Sequence, residues 1–243
     1  MKPLVTSTLD DGVLTVTLNR PDDRNRIDRV MMEAIVAAME AADADPAVAV
    51  IVLTGAGEYF CAGGRVDGYP EGTLKERSDY AQAFCNMHDR MGRTAAPIVA
   101  AVTGHCTAGG MSLLSFCDLA VASDHVEFGY PEAANGLFPA LALGILVPLV
   151  PPKRAFQMLL TGERFSAQEA LELSLVNRVV PRAEVMSAVQ EYVTSIKRLN
   201  RTAVALGRRA YYAMLPMTPA SRLQYAQTFL TTMLGAEETR PPR

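Results

Sequence analysis

The chain has 243 residues, 49% of them hydrophobic and 20% charged, with a net charge of −3. That is enough apolar material for one large packed core, and the charge balance supplies no basic footprint for nucleic acid or for an anionic membrane surface. The four cysteines, Cys61, Cys85, Cys106 and Cys117, form no CxxC pair, and with only three histidines they offer no zinc ligand set. The expectation is therefore reduced, mostly buried thiols, no metal and a cytoplasmic protein.

The start, MKPLVTSTLDDGV, lacks the apolar stretch of a secretory leader, so none is expected. Residues 3–9 and 12–18 alternate around Asp11-Gly12 and predict a β-hairpin. "NRPDDRN" reads as a turn. Asp28 then stands as the N-cap of a helix over "RVMMEAIVAAMEAADAD", which Pro46 ends. "AVAVIVLTG" is a buried strand, and "GAGEYFCAGGRVDGYPEG" follows as a loop. A polar-faced helix is expected from about residue 74 to 92, then a second buried strand, "APIVAAVTG". A short helix follows Gly110, and Asp118 opens the strand "DLAVAS".

Beyond "VEFGYPE" the pattern is mainly helical, interrupted by the strand "LVNRVVP" near residue 180. The longest apolar run, "GLFPALALGILVPLV", is broken by Pro139 and Pro148. It is too short to span a bilayer, so it reads as a buried helix and loop. The tail predicts two or three helices with a basic cluster of Lys197, Arg198, Arg201, Arg208 and Arg209. Strands alternating with helices indicate an α/β fold.

Two buried strands are each followed by a glycine pair: Gly63-Gly64 in "CAGGR" and Gly109-Gly110 in "TAGGM". Neither belongs to a G-x-G-x-x-G fingerprint or a phosphate-binding GK[ST] loop. Glycine pairs of this kind serve tight turns and close packing. Alternatively, two such turns side by side aim two free amides at one oxygen and form an oxyanion hole.

"EYFCAGGRVDG", "APIVAAVTGHCTAGGMSLLSFCDLAVAS", "VEFGYPEAANGLFPA" and "LLTGERFSAQEALELSLVNRVVP" occur in this order. Together they resemble the crotonase superfamily, the enoyl-CoA hydratase/isomerase family, over roughly residues 4–182. The resemblance implies a crotonase-like spiral of ββα repeats over residues 1–183. It also implies a helical oligomerisation region over 184–243 that builds a homotrimer or a dimer of trimers. It implies an acyl-CoA thioester as partner, with coenzyme A part of the substrate and no separate cofactor. The amides of Gly64 and Gly109 would hold the thioester oxygen. Family hydratases carry one glutamate three residues past the second of these glycines, where this chain has Ser112, and another in the "FGxPE" segment, matched by Glu132.

One carboxylate suffices to move a double bond, and serine is a poor acid or base near neutral pH. The resemblance with this departure therefore points to isomerisation of a 3-enoyl to a 2-enoyl thioester. Hydration with an atypical acid pair, and acyl-CoA binding without turnover, stand as alternatives. Asp67 and Glu71 are further carboxylates in the loop after the first glycine pair, where Arg65 takes a position often held by aspartate. Arg24, Arg26, Ala62 and Ser112 are implied in substrate binding, and a turn arginine is otherwise simply solvated. His105 and Cys106 are expected in packed or hydrogen-bonded roles. The end, "AEETRPPR", is shorter than the helix and basic terminus usual in the family.

Overall fold

The computed structural model describes residues 2–65, 72–146 and 149–235. Asp11 and Gly12, both at positive φ, fold β1 (Val5–Asp10) back on β2 (Val13–Leu18) in the expected hairpin. Two left-handed residues match the twist of the flanking strands, which is why Asp-Gly stands there. Asp28 caps α1 (Arg29–Ala44): its side chain accepts from the Met31 N–H at 3.0 Å.

From there the chain repeats one unit three times: a long strand, a short strand, a helix. The first comprises β3 (Val50–Gly55), β4 (Tyr59–Cys61) and α2 (Leu74–Arg93). The second comprises β5 (Ile98–Val102), β6 (His105–Thr107) and α3 (Gly109–Ser115). The third comprises β7 (Leu119–Ser123), β8 (Glu127–Gly129) and, after a 3₁₀ turn, α4 (Ala140–Leu146). Then come α5 (Pro152–Thr161), β9 (Arg164–Ser166), α6 (Ala167–Glu172) and β10 (Arg178–Val180). The helices α7 (Val185–Lys197), α8 (Arg201–Met214) and α9 (Pro219–Gly235) follow.

Long strands enter a six-stranded sheet of order β1-β2-β3-β5-β7-β10. Short strands enter a four-stranded sheet of order β4-β6-β8-β9. Each repeat advances one position in both sheets, which makes the chain a ββα spiral. The short strands β4 and β6 lie where the sequence reads as loop and turn. Three residues carry no readable alternation, and their pairing comes from neighbours in the next repeat.

Both faces of the large sheet are covered. Val50, Val52, Val99, Ala101 and Val121 pack on Val185, Ala188, Val189 and Val193 of α7. The alternate residues Ile51, Leu53, Ile98 and Ala100 share the main core with Met31, Ile35 and Met39 of α1. Double coverage explains why these strands read as unbroken apolar runs. The expected boundary between residues 183 and 184 separates β10 from α7, yet α7 is packed into the same body. By contrast α9 buries no side chain and leaves Leu223, Leu230 and Leu234 exposed.

Candidate active site

In the small sheet β4, β6 and β8 run parallel, with Cys61 beside Cys106 and Thr107 beside Gly129. Their C-terminal ends therefore lie side by side. Gly64, Gly109 and Glu132 each follow one of these ends within three residues, so residues far apart in sequence meet at one edge of the sheet.

Gly64 is held by a one-residue parallel bridge to Ile27. The Ile27 N–H donates to the Gly63 carbonyl and the Arg65 N–H donates to the Ile27 carbonyl, both at 2.8 Å. A bridge of this kind uses the carbonyl and amide on either side of its central residue, and leaves the Gly64 N–H directed away from Ile27. Across from it, the Ala108 N–H donates to the Gly129 carbonyl at 2.8 Å, and Ala108 adopts φ 54°, ψ −131°. That turn starts α3 at Gly109, whose amide precedes the helix's own hydrogen bonds. A Cβ placed on Gly109 would lie 3.3 Å from the Gly64 nitrogen, so the two amides are neighbours.

The partner glycines have a different reason to be there. A Cβ on Gly110 would stand 2.2 Å from the Cys61 carbonyl oxygen, and one on Gly63 2.4 Å from the Ala108 Cβ. In each pair one glycine presents its amide and the other permits α3 to close on β4.

Gly64, Gly109, Ser112 and Glu132 line one cavity of about 270 Å³, together with Tyr80 and Phe84 of α2 and an apolar wall from Leu137 to Ala142. Glu132 is half-buried, and its Oε2 is buried without a hydrogen-bond partner. Burial pushes its carboxyl above the usual carboxylate range, with its own backbone amide pulling weakly the other way. Ser112 lies one helical turn beyond Gly109 and is 1% exposed, and its Oγ has no partner. Ser115 on the same helix spends its hydroxyl on the Met111 carbonyl at 2.8 Å.

Behind this site lie groups that stay neutral. His88 of α2 places Nδ1 2.7 Å from the Phe84 carbonyl, between the rings of Phe84 and Phe116. Burial drives its pKa down to about 4, against the opposing pull of the Phe84 and Ser112 carbonyls. The Tyr130 hydroxyl is buried without a partner and pushed up by burial, with Cys106 and Glu132 adding to the rise. Burial raises Cys61 to about 12 and Cys106 well above its ordinary value, so neither thiol is an activated nucleophile. His105 accepts the Glu127 N–H on Nδ1 at 3.1 Å and packs on Tyr59, as expected for a structural histidine.

The other expected substrate-binding residues lie outside this cavity's lining. Ala62 donates its N–H to the Arg24 carbonyl at 3.0 Å, which ties the Gly64 strap to the turn before α1. Arg24 is exposed at φ 54°, with its guanidinium 5.6 Å from the centre of the Tyr59 ring. Arg26 is paired with Asp23, its Nε donating at 2.8 Å. Arg65 pairs with Asp23 at 3.5 Å and Asp28 at 3.8 Å. Asp67 and Glu71 lie outside the described residues. The sequence reading missed Tyr80 and Phe84, although their four-residue spacing puts both on one helix face. Among the described residues no group of three or more His, Cys, Asp or Glu could hold a metal ion, and no helix is long and apolar enough to cross a membrane.

Residues 8–240 match the sequence model of the enoyl-CoA hydratase/isomerase family. The mitochondrial enoyl-CoA hydratase domain-containing protein 3 of Mus musculus is 36% identical over 225 residues, covering 88% of this chain and 72% of that protein. A mevalonyl-coenzyme A hydratase of Aspergillus fumigatus is 33% identical over 235 residues, covering 92% and 84%. A crystal structure of an enoyl-CoA hydratase from Mycobacterium smegmatis aligns with a TM-score of 0.93 at 32% identity, covering 97% of this chain and 93% of that one.

Proposed function

The chain belongs to the enoyl-CoA hydratase/isomerase family, and from that premise we propose that its cavity moves a double bond in an enoyl-CoA from the 3 to the 2 position. The thioester oxygen sits between the N–H groups of Gly64 and Gly109. The ionised Glu132 takes a proton from C2 of the 3-enoyl group. The electron pair left behind spreads onto the thioester oxygen, where the two amides stabilise the dienolate. One such donor contributes about 2.7–4 kcal/mol in comparable sites. Glu132, now protonated, returns the proton at C4, and the double bond settles between C2 and C3. No atom is gained or lost, and one carboxylate serves both transfers.

The observation that carries this reading is that Glu132 is the only carboxylate among the described residues lining the cavity. Its raised pKa fits the task, because burial makes the ionised form a stronger base. Hydration is the second reading, favoured by the unpartnered Ser112 Oγ, which is placed to hold a water molecule, and by the hydratase names of the relatives. Exposed leucines on α9 offer an apolar face for the trimers or pairs of trimers that the family resemblance implies.

The test is ultraviolet absorbance of the conjugated enoyl thioester with the wild type and Glu132→Gln. Conjugation should grow from a 3-enoyl-CoA and fall by roughly 10²–10⁴-fold in the variant. Consumption of a 2-enoyl-CoA with no action on the 3-enoyl isomer would transfer the assignment to hydration. Tight binding with neither change would make the protein an acyl-CoA binder. The acid limb of kcat/KM should lie above the ordinary glutamate value of about 4.3, because activity needs the ionised form. In that same window the folded state holds the Glu132 proton more tightly than the unfolded chain does, so Glu132 weakens stability as pH rises through it. Glu132→Gln should therefore be at least as stable as the wild type at neutral pH.

A further inference from the structure

We propose, resting on the acyl-CoA reading above, that His88 is a positioning residue of the site: its ring, fixed by a hydrogen bond to the Phe84 carbonyl, holds the Phe84 ring against the glycine amides that receive the thioester oxygen. His88 lies one turn beyond Phe84 on α2 and is 4% exposed. Its Nδ1 stands 2.7 Å from the Phe84 carbonyl oxygen, which can only accept, so Nδ1 carries the hydrogen of the neutral ring. That bond fixes the ring's rotation. The ring then packs on Phe84 at 4.1 Å between centres, and edge-on to Phe116, the C-cap of α3, at 4.7 Å. It also feels the Ser112 carbonyl in the middle of α3.

Phe84 carries the effect to the site. It lines the cavity, whereas His88 does not. A Cβ on Gly109 would stand 3.4 Å from Phe84 Cε2 and 3.3 Å from the Gly64 nitrogen, so the edge of the Phe84 ring flanks the Gly64 amide. An aromatic edge there excludes water, and N–H donors act more strongly on a developing charge where water is excluded. The other ring nitrogen shows that packing alone does not account for a histidine. Nε2 is buried without a hydrogen-bond partner, and a phenylalanine would fill similar space with no unsatisfied group. What histidine adds is the Nδ1–H.

The experiment compares the wild type with His88→Phe, which keeps a ring and loses the N–H, with Phe84→Leu, and with the double variant. Turnover of a 3-enoyl-CoA gives kcat and KM. The infrared carbonyl stretch of bound hexanoyl-CoA, isotopically labelled at the thioester carbon, reports how strongly the amides polarise the oxygen. His88→Phe should melt no lower than the wild type, lose about tenfold in kcat with KM within about twofold, and move the stretch toward that of the free thioester. Phe84→Leu should move the stretch the same way. The double variant should be no worse than Phe84→Leu alone, because one residue acts through the other. The saturated thioester reports on the amides without turnover, so failure of the isomerase reading leaves the infrared result to decide. Absence of hexanoyl-CoA binding to the wild type would overturn the acyl-CoA reading and this proposal with it. A wild-type kcat and stretch in His88→Phe would overturn the proposal alone, as would losses that simply add in the double variant. An unmoved stretch in Phe84→Leu would overturn it whatever becomes of the His88 variant.

Discussion

Strands β3, β5 and β7 of the large sheet are five or six residues long and bury all but one side chain each or better, between α7 on one face and the main core on the other. The described strands of the small sheet are three residues long, and beyond their ends lie a positive-φ alanine and three buried polar atoms without partners: Ser112 Oγ, Tyr130 Oη and Glu132 Oε2. The contrast teaches where stability and chemistry reside. A backbone outlier such as Ala108 costs on the order of 1–3 kcal/mol, and unsatisfied polar groups add to that. The small sheet tolerates these costs because the large sheet has buried its apolar surface elsewhere, through residues that take no part in the site.

The largest effect on the scaffold should come from Arg208. It is 8% exposed, and its Nε donates to both oxygens of Asp118 at 2.9 and 2.7 Å. Its Nη atoms donate to the carbonyls of Met91, Gly92 and Thr94 at the end of α2. Asp118 also accepts the Ile98 N–H at 2.7 Å, so one guanidinium joins α8, α2 and the starts of β5 and β7. Arg208→Met keeps the apolar stem but leaves the largely buried Asp118 carboxylate without its cation, held only by the Ile98 N–H and the Tyr212 hydroxyl, and takes a donor from each of three carbonyls. We expect a loss of about 3–5 kcal/mol in urea unfolding, with turnover per folded molecule unchanged. A loss below about 1 kcal/mol, the worth of a surface pair, would show that the large sheet is not pinned there.

The next effect belongs to the small sheet and separates two adjacent glycines. A methyl at position 109 would lie 3.3 Å from the Gly64 nitrogen and 3.4 Å from Phe84 Cε2, tight but tolerable, and against the Gly64 amide. Gly109→Ala keeps both N–H groups but sets a methyl against one of them; it should fold with little change in Tm and lose about 10²–10³-fold in kcat, as much as removal of one oxyanion donor would cost. Gly110→Ala drives a methyl into the β4 backbone and should unfold at much lower temperature. If Gly110→Ala were the stable variant and Gly109→Ala the unstable one, the assignment of amide and packing roles would be reversed.

That pair also shows what a sequence can and cannot reveal. The doubled glycines are plain in the sequence, but which of them has room for a side chain depends on how closely the Cys61 carbonyl, from another repeat, approaches Gly110. The large sheet was readable because its strands are long enough to show apolar runs, and because Asp11-Gly12 and Asp28 signal their turn and cap locally. β4 and β6 were not, since three residues carry no period. Glu132 and Ser112 were identified by resemblance, but Ser112 and Ser115 look alike in sequence, and only the fold shows that one hydroxyl is spent on the helix and the other is not. Arg26 has a partner visible in the sequence, Asp23 three residues before it, and the structure forms that pair.

His88 permits the finest comparison, because it sits against Phe84 of the cavity wall and opposes Glu132 in sign. Its pKa of about 4 in the folded state lies below the ordinary 6.5. Between those values the unfolded chain takes up a proton that the folded protein refuses. Stability should therefore fall as pH drops through this window, by on the order of 3 kcal/mol in all. Glu132, with its raised pKa, contributes a slope of the opposite sign. Urea midpoints at pH 7 and pH 4.5 should thus show the wild type losing stability on acidification, His88→Gln losing less, and Glu132→Gln losing more. Equal slopes in all three proteins would mean that other groups govern the acid response. A shallower slope in Glu132→Gln than in the wild type would contradict the raised carboxyl on which the proton transfer depends.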